Sequence, residues 1–356
     1  MKLDSDLKVL QELTDTPGPP GFETKIKQVM EQHLRTITDD IVTDNLGGIA
    51  GKIGSAGPKI LIAGHLDEVG FMVTSITKEG FLRFIPLGGW WGHVLLAQKV
   101  KIMTEKGDLT GVIGSKAPHV LSVEERKNVL NVETMFIDIG AASREEAASF
   151  GVQVGDPIAT TCPFEVLPNP KFLLARNWDN RAGCYVALKA LQRLQKKNLP
   201  NIVYAGATVQ EEVGLRGAET LANKVLPDIA FALDVGVAED TPGMLGKEDP
   251  KSLGKGPLLG FLDRTVIAHR KLRDVVVKTA KQHNIPYQVD IMTGGGTDAG
   301  KFHLSHIGVP TMVISVPARY IHSNVSIIHR DDLNHAVDLL TAVIEQLNDD
   351  TFHKLL

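Results

Sequence analysis

The sequence predicts an α/β fold, a sheet flanked by helices and interrupted by a small β-rich insert. Three observations carry this. Short continuous apolar runs, such as KILIAGHLD from Lys59, mark strands buried on both faces of a mostly parallel sheet. Such runs alternate with helical patterns over most of the chain. Between about Val69 and Pro163 the alternation gives way to short β-type runs divided by Gly, Lys-Glu-Gly or Lys-Gly turns.

Taken in order, Ile26, Val29, Met30, His33, Leu34 and Ile37 recur at the helical period, so the first 40 residues read as helical with one face laid on a sheet. The run from Lys59 follows and ends in the polar His65 and Asp67. The insert then supplies FMVTSI, FLRFIPL, HVLLAQKVKIMT, LTGVIG and MFIDIG as strands, with a helix expected around Ser122 to Lys127. Strand FLLARN leads into a helix carrying Cys184, Ala187, Leu188, Leu191 and Leu194 on one face. Strand NIVYAGATV, a helix near Ala218 to Val225 and strand DIAFALDVGV come next. A helix from about Ala268 to His283, strands YQVDIM and PTMVISV, and a last helix from about Asp331 complete the pattern. That helix is striped by Leu333, Ala336, Val337, Leu340, Val343, Ile344 and Leu347.

A length of 356 residues suggests two to three domains or one large domain with an insertion. With 43% apolar and 22% charged residues the balance is that of a soluble globular protein, which excludes disorder and collagen-like repeats. The formal net charge of -4 offers no positive field to draw in nucleic acid or anionic lipid, so neither is expected as a partner. No run approaches the ~18 apolar residues of a membrane helix. The opening MKLDSDLKVL lacks the apolar core of a secretory signal, and a cytoplasmic location is expected. Cys162 and Cys184 match no zinc or redox spacing and read as reduced packing residues, so a metal here would be held by nitrogen and oxygen. The Gly294 to Gly296 run lacks the spacing of a phosphate-cradling loop.

In α/β sheets ligands bind at the carboxyl ends of the strands. Polar residues follow each buried run: His65 and Asp67, Asp179 and Asn180, Glu211 and Glu212, Asp234, and Arg319 to His322. His65, Asp179, Glu212, Asp234 and His322 are ligand types suited to zinc, cobalt or manganese. If Asp179 bridges two metals, each has three protein ligands and an open position for a shared water, the arrangement of a catalytic site. Glu211 is then free to act as general base, and Asp67, two residues past His65, could accept the other imidazole N–H. Each residue has a plainer reading: adjacent glutamates commonly form a solvated turn, and Asp179-Asn180 could cap a helix. The joint pattern favours the site, since five strand ends offer metal-competent groups and none lies in the insert.

AGHLDEVGFM (63 to 72), WDNRAG (178 to 183), VQEEVGLRGA (209 to 218), ALDVG (232 to 236), GGGTDAG (294 to 300) and RYIHS (319 to 323) together resemble the M42 metallo-aminopeptidases, which include bacterial glutamyl aminopeptidases and archaeal tetrahedral aminopeptidases. The resemblance spans nearly the whole chain. It implies one metal on Asp179, Glu212 and His322, the other on His65, Asp179 and Asp234, Glu211 as base, Asp67 orienting His65, and a cis peptide after Asp179. It also implies the zinc-exopeptidase (phosphorylase/hydrolase-like) α/β sandwich, with a catalytic unit of residues 1–67 and 165–356. Residues 68–164 are then a PDZ-like dimerisation or assembly domain, in a homo-oligomer whose building block is a dimer and whose size, a dimer or a tetrahedral particle of twelve subunits, the sequence leaves open. Two divalent ions per subunit, zinc or cobalt with manganese as a third candidate, and peptide substrates follow.

Arg264 and Lys301 could bring positive charge to a pocket for an acidic first residue, Glu or Asp. Gly295, Gly296 and Asp298 complete the candidate substrate residues, the glycines allowing close backbone contact. His303 and His306, at i, i+3, read as packing residues, and Trp90-Trp91 as insert core or subunit contact. The alternatives are a related dinuclear hydrolase, such as a carboxypeptidase with Arg319 holding the terminal carboxylate, a deacylase or a deblocking enzyme. A glycosidase would leave His65 and His322 without a role, and a non-catalytic binding protein would not need every ligand position kept.

Overall fold

The computed structural model describes residues 3–244 and 249–356. Strands Ile202–Thr208, Lys59–His65, Ile229–Val237 and Thr311–Arg319 lie side by side in that order and pair in parallel. Within Lys59–His65 everything after the first residue is buried, as a strand covered on both faces requires. Its side chains alternate between two cores. Ile60 and Ile62 join the larger one, with Leu10, Met30, Leu188, Val276 and Leu340 from the helices Ser5–Asp15, Thr24–Arg35, Trp178–Leu194, Arg270–Gln282 and Arg330–Ile344. Leu61 and Ala63 join the smaller one, with Leu221 of Arg216–Val225 and Phe302 of Ala299–Phe302. Helices therefore cover both faces.

Antiparallel strands widen the parallel centre into a mixed sheet. Ile49–Ile53 and Ile41–Thr43 extend one margin, and Ser326–His329, Phe172–Ala175 and Glu165–Val166 the other. Leu258–Leu262 runs antiparallel to Thr311–Arg319 and parallel to Gln288–Ile291. The short strands at 41–43, 49–53 and 326–329 have no counterpart in the sequence reading. The opening 40 residues form two helices because Pro17, Pro19 and Pro20 cannot continue one. The helix expected around Ser122 to Lys127 is a single 3₁₀ turn, Glu125–Lys127. Ser122 and Glu125 cap one another there, but the segment is exposed and has no apolar stripe to bury.

Strands Gly70–Ile76, Leu82–Leu87, Phe136–Asp138, Gly107–Gly114, Lys99–Thr104 and Pro157–Thr160 close in that order into an antiparallel barrel. Phe71, Val100, Ile102 and Ile158 fill its own core. Where the chain leaves the sheet, buried Glu68 accepts from Arg176 Nη1 at 2.6 Å and from Gly18 N at 2.8 Å. The same Arg176 nitrogen donates to the carbonyl of Thr160, at the end of the last barrel strand. One ion pair thus ties together both crossings between barrel and sheet. No helix among the described residues is long and apolar enough to cross a membrane.

Candidate metal centre

The parallel strands open a gap at their carboxyl ends. Pairing between Lys59–His65 and Ile229–Val237 stops at Ala63 and Ala232. Two residues on, His65 and Asp234 stand at matching positions on the same face. On the other side Thr208 pairs with His65, and the chain then turns through Gln210, at φ +55°, into Glu211 and Glu212. Asp179 comes from the start of helix Trp178–Leu194, where Asp179 and Asn180 are non-helical and the bond between them is cis. This helix lies unusually close to the strand: a Cβ on Gly64 would sit 2.7 Å from the nitrogen of Cys184, so only glycine fits. The loop after Thr311–Arg319 reaches back through Tyr320 and His322, both at positive φ.

Asp179 stands between two imidazoles. Its Oδ1 is 3.2 Å from His65 Nε2 and its Oδ2 is 3.4 Å from His322 Nε2. Glu211 and Asp234 face the same His65 nitrogen at 3.6 and 3.9 Å, and Glu212 faces His322 Nε2 at 3.6 Å. Both outer imidazole nitrogens meet backbone carbonyls. His65 Nδ1 lies 3.1 Å from the carbonyl of Asp67, and His322 Nδ1 lies 2.8 Å from that of Gly89. The expected carboxylate contact of Asp67 with His65 is longer, 3.5 Å. The strand ends at His65, and the Asp67 carboxylate instead accepts from the backbone N–H groups of Glu211 and Glu212, each at 3.0 Å. Glu23 accepts from Gln210 N at 3.1 Å. Two buried carboxylates therefore hold three successive amides of the turn that carries Glu211.

The electrostatics describe an excess of buried negative charge. Burial, with the charges of Asp179 or Asp234 nearby, pushes the Glu211 and Asp234 carboxyls well above the usual range and Glu212 up to about 8. Burial alone would lower His322, but Asp179 and Glu212 lift it to about 10, and His65 is raised by Glu211 and Asp179 in the same way. Asp179, despite its burial, is held low by the two histidines. No Lys or Arg is found among the described residues lining this cavity.

The donor set fits divalent metal. His65, Asp179 and Asp234 bring ligand atoms within 4.8 Å of one another, and so do Asp179, Glu212 and His322. A third grouping, His65 with Glu211 and Glu212, puts Glu211 within ligand reach as well. Glu212 Oε1 is buried without a hydrogen-bond partner, the orphaned acceptor that a cation would satisfy. The donors are oxygen and imidazole nitrogen only, as zinc, cobalt or manganese accept.

The cavity above this cluster has a volume of about 460 Å³, and Gly295, Gly296, Thr265, Val235, Val237 and Met292 form much of its far wall. Arg264 is exposed and outside this lining, although its N–H donates to the carbonyl of Gly295. Lys301 pairs with Glu219 at 2.8 Å. Asp298 is buried beneath, accepting from the Thr208 hydroxyl, with its Oδ1 unpartnered. Arg319 is engaged by both oxygens of Asp240 at 2.7 Å, which takes away the cation that a carboxypeptidase would need. Glu23 and Gly89 escaped the sequence reading: nothing near Glu23 marks it, while the Gly88-Gly89 pair before two tryptophans was the signal available for Gly89. A Cβ on Gly88, at φ +89°, would meet Val69 at 2.7 Å and Glu212 at 3.3 Å, so the barrel's edge must be glycine to approach the cluster.

A family model described as M42 glutamyl aminopeptidase matches residues 47–339. The glutamyl aminopeptidase of Lactococcus lactis subsp. cremoris is 37% identical over 354 residues, covering 98% of this chain and 97% of the relative. The crystal structure of a TET aminopeptidase from a marine-sediment Thaumarchaeota archaeon superposes with a TM-score of 0.96 at 43% identity, covering 99% of this chain and 100% of that one. Pyrococcus horikoshii TET1 peptidase, which can assemble into a tetrahedron or a large octahedral shell, superposes with a TM-score of 0.86 at 36% identity, over 96% and 100% of the two chains.

Proposed function

The chain belongs to the M42 family of aminopeptidases, which are hydrolases, and on that premise we propose that it trims free peptide amino termini at a centre of two divalent metal ions. The observation that carries this is Asp179, with one carboxylate oxygen facing each histidine. Asp179, Glu212 and His322 would hold one ion, and His65, Asp179 and Asp234 the other. Bound there, zinc or cobalt, or else manganese, would supply Lewis-acid polarisation of the scissile carbonyl and a water of lowered pKa.

Glu211 is the general base. Its Oε2 accepts a proton as water adds to the carbonyl carbon, and returns it to the nitrogen as the C–N bond breaks. Asp67 and Glu23 keep the turn beneath it fixed. The cavity wall of Gly295, Gly296, Val235, Val237 and Met292 receives the first side chain. Arg264, at the base of the Gly295 loop, is the support for a Glu or Asp preference, whereas the apolar lining favours an uncharged first residue. The catalytic sandwich is read as the zinc-exopeptidase type, the barrel of residues 68–164 as a PDZ-like assembly domain, and the location as cytoplasmic.

The test is a metal-loaded assay over aminoacyl amides and peptides, with free and N-acetylated ends, against Glu211→Gln. Cleavage confined to free amino ends and abolished by a chelator is expected, as is a loss of about 10²–10⁴ in rate for the variant at unchanged metal content. Turnover that survives complete removal of metal, or a variant as fast as its parent, would refute the reading.

A further inference from the structure

A second cavity adjoins the first. About 670 Å³ in volume, it lies between the barrel segment Gly89 to Gln98 and the loop Tyr320 to Val325. The two cavities share Gly89, Ile321 and His322. His322 is thus a partition, with the first-residue pocket on one side and this space on the other. Its walls are Trp90, Trp91, Val94, Tyr320, Ile321 and Val325, and no Lys, Arg, Asp or Glu is among its described lining.

We propose that this cavity binds the residue immediately after the scissile bond and selects a bulky apolar or aromatic side chain there. The inference rests on the aminopeptidase reading. A peptide whose first side chain points toward Gly295 and Val237 carries its reacting carbonyl past Glu211. The remainder of the chain then leaves beside His322, where the second cavity begins. The leaving side is therefore built from both units, because Trp90 and Trp91 belong to the barrel and Tyr320 to the sheet. Trp90 is anchored: it stacks on Phe71 at 4.8 Å and donates to the carbonyl of Gly70 at 3.0 Å. Trp91 and Tyr320 are 63% and 54% exposed, large aromatic surface left open at a site's mouth rather than packed. The loop is held in a defined shape. Tyr320 and His322 both adopt positive φ, at 61° and 55°, unusual for side chains of this size, and the Ser323 hydroxyl bonds to the carbonyls of Tyr320 and Val325. A cavity of this volume is ordinary for a ligand site, and with no charge to oppose it selects by apolar contact.

The test compares tripeptides that share a well-accepted first residue, for instance Leu-Xaa-Ala with Xaa as Gly, Ala, Leu, Phe, Asp or Lys. Leucinamide, whose leaving group is ammonia, serves as the reference. For the metal-loaded enzyme, kcat/KM is expected to be at least ~10-fold higher for Phe than for Gly. Trp91→Ala and, separately, Tyr320→Ala should each bring that ratio toward one, with a loss on Leu-Phe-Ala that exceeds any loss on leucinamide. A parent ratio near one overturns the proposal, as does a ratio unchanged in both variants. If Trp91→Ala changes only the assembly state by light scattering, the face is a subunit contact and the proposal is likewise overturned. A chain that cleaves none of these substrates, leucinamide included, refutes the aminopeptidase reading and the proposal with it.

Discussion

At the level of single residues the site divides into what strand ends announce and what only folding brings near. That His65, Asp179, Glu211, Glu212, Asp234 and His322 come together as a candidate cluster was readable, because a parallel sheet gathers the carboxyl ends of its strands. Glu23 was not, since its contact with Gln210 joins residues 187 positions apart. Its burial has a measurable consequence. Burial, and then the charge of Asp67, raises the Glu23 carboxyl to about 7. A carboxyl whose folded pKa lies above its unfolded value binds the proton more tightly in the native state. Stability therefore falls as pH rises from about 4.5 to about 7. Glu23→Gln keeps an acceptor oxygen for Gln210 N but cannot ionise. Between pH 6 and pH 8 the parent should lose roughly 1 kcal/mol more unfolding free energy than the variant, measured by urea denaturation at constant metal content. Equal losses in the two proteins would mean that Glu23 is already ionised throughout.

Among the elements, long apolar strands and striped helices were legible, because burial on one or both faces leaves a period in the sequence. Ile41–Thr43 leaves none: three residues, none of them fully buried, fall below any usable window. Barrel closure was equally hidden, since it depends on ladder register, which composition does not encode. The attachment of barrel to sheet falls at this scale as well. Glu68 and Arg176 have side chains 3% and 4% exposed. Removing one partner of such a pair strands the other charge away from water. Arg176→Leu is expected to cost about 3–5 kcal/mol of unfolding free energy, because the neighbouring Arg181 nitrogen, at 3.6 Å, is a poor replacement. The double variant Glu68→Gln/Arg176→Leu should recover part of that loss. A single-variant cost below about 1 kcal/mol, against that benchmark, would show that the junction is held by packing instead.

For the whole molecule, the distribution of uncovered apolar side chains argues for assembly. Val120, Val123 and Val129 are exposed on the barrel, while Ile291, Leu304 and a fully exposed Ile307 lie on the catalytic unit. The two sets lie on separate units, and each offers large exposed apolar side chains as a candidate contact patch. A closed tetrahedral shell, one of the forms that the Pyrococcus horikoshii relative can adopt, requires two kinds of contact, a twofold between paired chains and a threefold where pairs meet. If each patch serves one of them, blocking one should leave small discrete oligomers, not monomers. Light scattering on the purified chain is expected to give a mass of twelve subunits. Val123→Asp and Ile307→Asp should each stop assembly at a dimer or trimer, and the two together should give a monomer. A parent that is monomeric at micromolar concentration would sink the assembly reading. Two single variants stopping at the same oligomer would mean that both patches serve one contact, and the barrel would then have no assembly role of its own.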